Sequence, residues 1–175
     1  FQIFEDARGC VKYMARTFDD DRALLLEQYK IMVGSTEKVI DQRLTVNNIF
    51  FTITSSILSV ALIVGKAFEF SLVGATGMLV FSVLALLVSI FWAAMIQSYG
   101  NLNTGKFRII DEIEKRLRTN MFEREWKVLR DEIKYKPNTQ TERSIIRWYQ
   151  LFIVIVIIVE IGYIVWKSYP EITIS

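Results

Sequence analysis

Three long stretches without charge constrain this chain more than anything else in it. Leu44 to Gly65 is the first, Phe70 to Gly105 the second. The third runs from Trp148 to Trp166 and is interrupted once, by Glu160. A helix crossing the roughly 30 Å hydrocarbon core of a bilayer needs about 20 mainly apolar residues at 1.5 Å each. Each stretch meets that length, so transmembrane helices are expected over 44–66, 71–97 and 147–167. With 175 residues, 52% of them hydrophobic, the chain is too short to wrap three such helices in polar protein. The expected fold is all-α: a polytopic membrane protein with three transmembrane helices and amphipathic cytoplasmic helices, assembling as a homo-oligomer.

Charge placement sets the expected topology. Of 21 Lys and Arg residues, seven precede the first span and twelve lie between the second and third. Basic residues concentrate on the cytoplasmic side of membrane proteins. Residues 1–43 and 98–146 are therefore expected in the cytoplasm, with the hairpin 67–70 and the tail 168–175 facing outward. Trp148 and Tyr149 at one end of the third span, and Tyr163, Trp166 and Tyr169 at the other, suit the two interfacial belts. The first apolar block is too long for a secretory signal, and a chain opening on Phe1 is expected to continue upstream.

The polar segments read as amphipathic helices. Phe4, Ala7, Val11, Met14 and Phe18 recur at spacings of three and four. Asp19, Asp20 and Asp21 then offer caps for a second helix carrying Leu25, Tyr29, Met32, Val39 and Ile40, which enters the first span past a weak point at Gly34. After the second span, Asn103 and Thr104 are expected to cap a helix with Phe107, Ile110, Ile113 and Leu117 on one face. A break near Thr119 precedes Phe122, Trp126, Leu129 and Ile133, and "KPNTQTE" is a link with Thr141 capping the third span. These stripes either form a small intracellular bundle or meet neighbouring subunits, or a cytoplasmic protein partner. The acids Asp111, Glu112 and Glu114 read as a solvated face beside Lys115, Arg116 and Arg118.

Several function classes fall away. The chain has no histidine and one cysteine, Cys10, so histidine-based triads, histidine metal sites and an intrachain disulfide are excluded. Basic residues alternate with acids instead of forming a patch, which argues against nucleic acid as a partner. No catalytic residues, metal or cofactor are expected.

Within the membrane, Thr45, Asn48, Thr52, Ser55, Ser59 and Lys66 fall on one heptad-spaced face of the first span. Ser82, Ala85, Ser89 and Ala93 form a small-residue stripe on the second. Such stripes either pack helices within one subunit or line a hydrated path. Glu160 needs a partner at lipid depth or must be neutral. Lys66 and the span-one hydroxyls are its expected contacts, within or between subunits.

The stretch "WAAMIQSYGNLNTGKFRIIDEIEKRL", followed by "FEREW", resembles the segment after the second span in the RipA family of small octameric bacterial inner-membrane proteins. Tyr99, Asn103, Lys106, Phe107, Glu112, Phe122 and Trp126 are among the matching positions. "EQYKIMVGSTEKVIDQR" leading into a polar-faced span is also similar, and the likeness covers roughly residues 22–166. One departure is "RTNMF", where the family pattern has a proline-containing turn. The resemblance implies an octamer in the bacterial inner membrane, a part in proliferation inside host cells, and neither catalytic activity nor cofactor. A more distant likeness is to two-span, pore-forming effectors of bacterial conflict systems, against which the third span argues. Lys106 and Arg108 would sit at headgroup depth, among membrane lipids. The function expected is a scaffold or regulator, with an ion channel or pore as the alternative.

Overall fold

The computed structural model describes the backbone over residues 2–136 and 138–172, and side chains over 20–136 and 138–169. The stripe from Phe4 to Phe18, Cys10, Asp19 and the side chains beyond Tyr169 lie outside the described side chains. Four α-helices follow in order: α1 Gln2–Ala67, α2 Leu72–Leu117, α3 Met121–Lys127 and α4 Asn138–Ile172. A π-helical turn, Val128–Glu132, follows α3 directly, and no strand occurs among the described residues. α1, α2 and α4 are each long and apolar enough to cross a membrane.

The helices are longer than the sequence suggested. Asp20 and Asp21, expected near the start of a second helix, lie inside α1, and Asn103 and Thr104 lie inside α2 instead of capping a new helix. Breaking a helix leaves four N–H and four C=O groups without helical partners. Glycine in a helix costs only about 1 kcal/mol relative to alanine. Gly34, Gly100 and Gly105 are therefore too weak to stop helices whose faces are packed. α4 likewise begins three residues before Thr141, at Asn138.

The chain divides into two compact units. One comprises Phe1–Ile40 and Asn101–Tyr135. Its inward face is the expected one: Val39 and Ile110 are buried, and Leu25, Tyr29, Met32, Phe107, Ile113 and Leu117 are half-buried. α2 ends without proline. Arg118 takes a left-handed φ of 59°, and the Thr119 N–H donates back to the Glu114 carbonyl at 3.0 Å, closing the last turn. The stripe on α3 departs from expectation, since Trp126 and Ile133 are exposed. The π turn accounts for Ile133: its wider loop, seen in the Ile133 N–H bond to the Val128 carbonyl at 3.1 Å, carries Ile133 out of line with Leu129, which stays half-buried beside Val128.

The other unit, Asp41–Gly100 and Lys136–Ser175, holds the apolar helices. Its core joins Trp92, Ile96 and Ile146, with Phe50, Ala93 and Tyr149 against them. A tight hairpin joins α1 to α2, with Glu69 and Phe70 at φ 50° and 51° and the Phe70 N–H bonded to the Gly65 carbonyl at 2.8 Å. The helices leaving it touch closely: a Cβ at Gly77 would lie 2.8 Å from a Val64 methyl. Tyr163 and Lys167 of α4 both donate to the Phe70 carbonyl, at 2.8 and 2.7 Å, which ties the hairpin to the end of the third span. Trp148 and Trp166 both point outward from α4. Their separation along the helix, roughly 27 Å by its rise, matches a hydrocarbon core.

Candidate functional site

Polar side chains at lipid depth are the chemically distinctive feature of the apolar unit. Glu160 is buried, as the apolar run around it requires, but its partner is on α2 and not on α1. The Ser82 hydroxyl donates to Glu160 Oε1 at 2.9 Å, and Oε2 is buried without a hydrogen bond. Among the described residues no ion pair reaches Glu160, and Lys66 is exposed. The expected pairing of Glu160 with Lys66 or the span-one hydroxyls is thus absent within one chain. The reason is helical phase: Lys66 lies on the side of α1 away from the bundle.

The same phase accounts for the rest of the span-one face. Thr45, Asn48, Thr52 and Ser59 are all exposed. The hydroxyls of Thr45, Thr52 and Ser59 donate to carbonyls four residues back, at 2.8–3.0 Å. Ser55 alone turns inward, within 3.3 Å of the Tyr149 hydroxyl. Packing of this stripe within one subunit is therefore not what the fold uses it for. The inward polar residues of α1 are Asn47, whose amide oxygen accepts the Trp92 indole N–H at 2.8 Å, and Thr54, fully buried and bonded to the Phe50 carbonyl. Around that contact Trp92 meets Phe51 and Tyr149 edge-on, and those two rings lie tilted against each other. On α2, Ser82 and Ser89 are buried, and Gln150 of α4 donates to the Ser89 carbonyl at 3.1 Å.

Near the start of α4 lies a buried cation that the sequence reading passed over. Arg43, 6% exposed, donates to Thr139 at 2.8 Å and stands 3.4 Å from Glu142. Gly100 is required beside it, since a Cβ there would lie 2.9 Å from the Thr139 methyl. Arg43 was legible after all. The inward line of α1 runs Leu25, Tyr29, Met32, Thr36, Val39, Arg43, Phe50 and Thr54, at helical spacing throughout.

In the polar unit, three of the motif residues come together. Phe107 and Phe122 meet edge-on with ring centres 5.7 Å apart, and Lys106 donates to Ser35 of α1. Tyr29 lies against Phe122. Asn103 is half-buried with its amide oxygen unbonded, whereas Glu112 and Trp126 are exposed and join no cluster. Tyr99 belongs to the other unit and is half-buried. The centre of the cluster is Glu114, which the sequence reading placed on a solvated face and which is 1% exposed. It accepts the Tyr29 hydroxyl at 3.0 Å and the Phe122 backbone N–H at 3.3 and 3.4 Å. Asn120 provides no side-chain cap for α3, so Glu114 does that work from the preceding helix. Burial, then the hydrogen bond to Glu114 and the charge there, push the Tyr29 hydroxyl up to about 12. The spacing 107, 110, 114, 117 was the available signal.

Compared with known families, residues 26–166 match the model of the octameric membrane protein family, 8xMP. The chain belongs to that family. The match agrees with the RipA resemblance and covers α1 from within the polar unit to the end of the third span. No curated protein and no solved structure matches the chain. Membership makes self-association part of the fold: an 8xMP subunit is one of eight, so surface left bare by one chain has seven copies to meet.

Proposed function

We propose that this protein is a non-enzymatic octameric scaffold or regulator of the bacterial inner membrane. Its N-terminus and the segment 98–146 are cytoplasmic and its C-terminus is periplasmic. The observation that carries this reading is the use made of buried polar groups. Ser82 with Glu160, Asn47 with Trp92, and Arg43 with Thr139 each join one helix to another, as structural contacts in a bundle do. The distribution of basic residues supports the orientation. The exposed faces of α3 and the π turn, with Met121, Trp126 and Ile133, are available for a cytoplasmic partner. By the RipA likeness, the biological setting is proliferation inside host cells.

Mass measurement of the purified protein in detergent or nanodiscs tests the assembly, and a species smaller than eight chains counts against it. Reporter fusions at residues 100, 136 and 175 test the orientation. Deletion in the parent bacterium should reduce growth inside host cells and spare growth in broth.

A second reading, an ion channel or pore, draws support from the exposed hydroxyls and amide on α1. Ion flux through protein reconstituted in liposomes separates the two. Flux lost in Thr52→Leu or Ser59→Leu favours the pore, and none at any pH or voltage favours the scaffold.

A further inference from the structure

Exposed apolar side chains mean different things in the two units. Around the spans lipid meets them, but in the polar unit they face water. Leu24, Ile31, Leu102 and Ile109 are 44–71% exposed. Each is separated by roughly 15 Å or more of helix from Asn47 and Trp92, which meet beside Tyr149 at the end of the spans. Bilayer hydrocarbon does not extend that far.

These four residues share one side of the α1–α2 pair. In this unit the two helices run antiparallel, with Tyr29 bonded to Glu114 and Lys106 to Ser35. The Lys106–Ser35 contact marks one side. On α2, Leu102 and Ile109 flank Lys106 at spacings of four and three, and on α1, Ile31 and Leu24 precede Ser35 by four and eleven. Such spacings stack side chains along one face of a helix. The other side is covered, because Tyr29 and Phe107 both pack against Phe122 of α3.

α3 in turn carries an apolar surface of its own. Met121, Phe122, Glu125, Val128 and Leu129 line a shallow groove, with Arg124 beside them. The unit thus has apolar surface on both of its sides, and the two are unlike. A closed ring requires this: each copy offers one surface to the copy before it and the other to the copy after, whereas a self-matching patch stops at a pair. Charge agrees. Glu123 pairs with Lys127 and Arg130 with Asp131, which leaves Arg124 without an ion pair among the described residues. Asp20 and Asp21, just before Leu24, are exposed and without one too.

We infer that the face bearing Leu24, Ile31, Leu102 and Ile109 receives α3 of a neighbouring copy, seated by its Met121 groove, so that eight polar units close a ring. This rests on the octameric assembly and names the contact made between its parts outside the bilayer. Met121 is then claimed by the neighbouring copy. Trp126 and Ile133, which lie off the groove, stay free for a cytoplasmic partner.

The test uses the full chain in native membranes, with Cys10→Ser as the parent and a short bismaleimide as the probe. Ile31→Cys together with Met121→Cys in one chain should give a ladder of cross-linked species rising to eight, because the two sites meet only between copies. Either cysteine alone should give none. A dimer from Ile31→Cys alone means that the face meets itself, and rapid labelling of that cysteine by a bulky charged maleimide means that the face is bare. Slow labelling with no ladder in the double variant means that another protein covers it. Each of these overturns the inference. Ile31→Asp should shift the assembly to smaller species with helical content unchanged, and Trp126→Asp, also in water, should not; an octamer that survives Ile31→Asp counts against the contact. A parent that is not octameric sinks the assembly itself, a result read from mass and not from cross-linking.

Discussion

Two buried glutamates, one in each unit, are held in different ways. Glu114 in the polar unit and Glu160 in the apolar unit are 1% and 7% exposed, and among the described residues neither has an ion-pair partner. Glu114 accepts a phenol and the first-turn N–H of α3, using both oxygens. Glu160 accepts one serine hydroxyl and leaves its second oxygen bare. What differs is what each would leave behind. Without Glu114 a backbone N–H and a phenol lose their acceptor in a half-buried cluster. Without Glu160 the Ser82 hydroxyl can turn to its own helix, as Thr52 and Ser59 already do. Burial alone does not measure how much a fold depends on an acid; the alternatives open to its partners do.

The sharpest break of this comparison is Glu114→Leu. Stranding two donors should cost about 2–4 kcal/mol in the polar unit. It should show as a lower unfolding temperature and as proteolytic cutting around 118–136. Glu114→Gln keeps an acceptor and should lose about 1 kcal/mol. If Glu114→Leu proves as mild as Glu160→Leu, the cap assigned to Glu114 is not what holds α3.

Alkaline titration probes the same contact from the other side. An unfolded tyrosine ionises near pH 10, whereas Tyr29 keeps its proton in the folded protein to about 12. Above pH 10 the unfolded chain therefore binds fewer protons, and stability falls as pH rises. The Tyr29 contribution is complete below pH 10 and lost progressively toward pH 12. Unfolding curves of the parent should drop faster over that window than those of Tyr29→Phe. That variant starts lower by about 1 kcal/mol, the worth of one hydrogen bond. Parallel curves would mean that Tyr29 titrates normally.

The spans, the hairpin and the inward stripes of α1 and α2 were legible in the sequence because they follow from length and period alone. Helix ends were not. Asn103 and Thr104 look like caps, but local preferences of a kcal/mol yield to two long packed helices. Partner choice was harder still. The heptad face of α1 was visible, yet which way it points depends on the phase fixed by Arg43, Asn47 and Thr54, polar residues that do not look like core. Glu114 was missed for a related reason: three acids in four residues resemble a solvated face, and only one continues the apolar line. The π turn has no sequence signature here that we can name.

The smallest effect expected is at Glu160, and it is the most informative about the membrane half of the comparison. Ser82→Ala removes the one hydrogen bond the carboxyl has and should cost about 1 kcal/mol. Glu160→Leu removes the carboxyl and should cost no more, because an apolar side chain of similar volume suits both lipid and bundle. The double variant should then resemble Glu160→Leu alone, since alanine at 82 no longer strands an acid. Measured as a cycle on unfolding in detergent, that pattern gives a coupling of about 1 kcal/mol. Additive losses would show that Ser82 and Glu160 do not depend on each other. A much larger loss in Glu160→Leu, accompanied by dissociation of the octamer, would mean that the bare Oε2 is satisfied in the assembly by another copy. The two glutamates would then be alike after all, each holding a donor that has nowhere else to go.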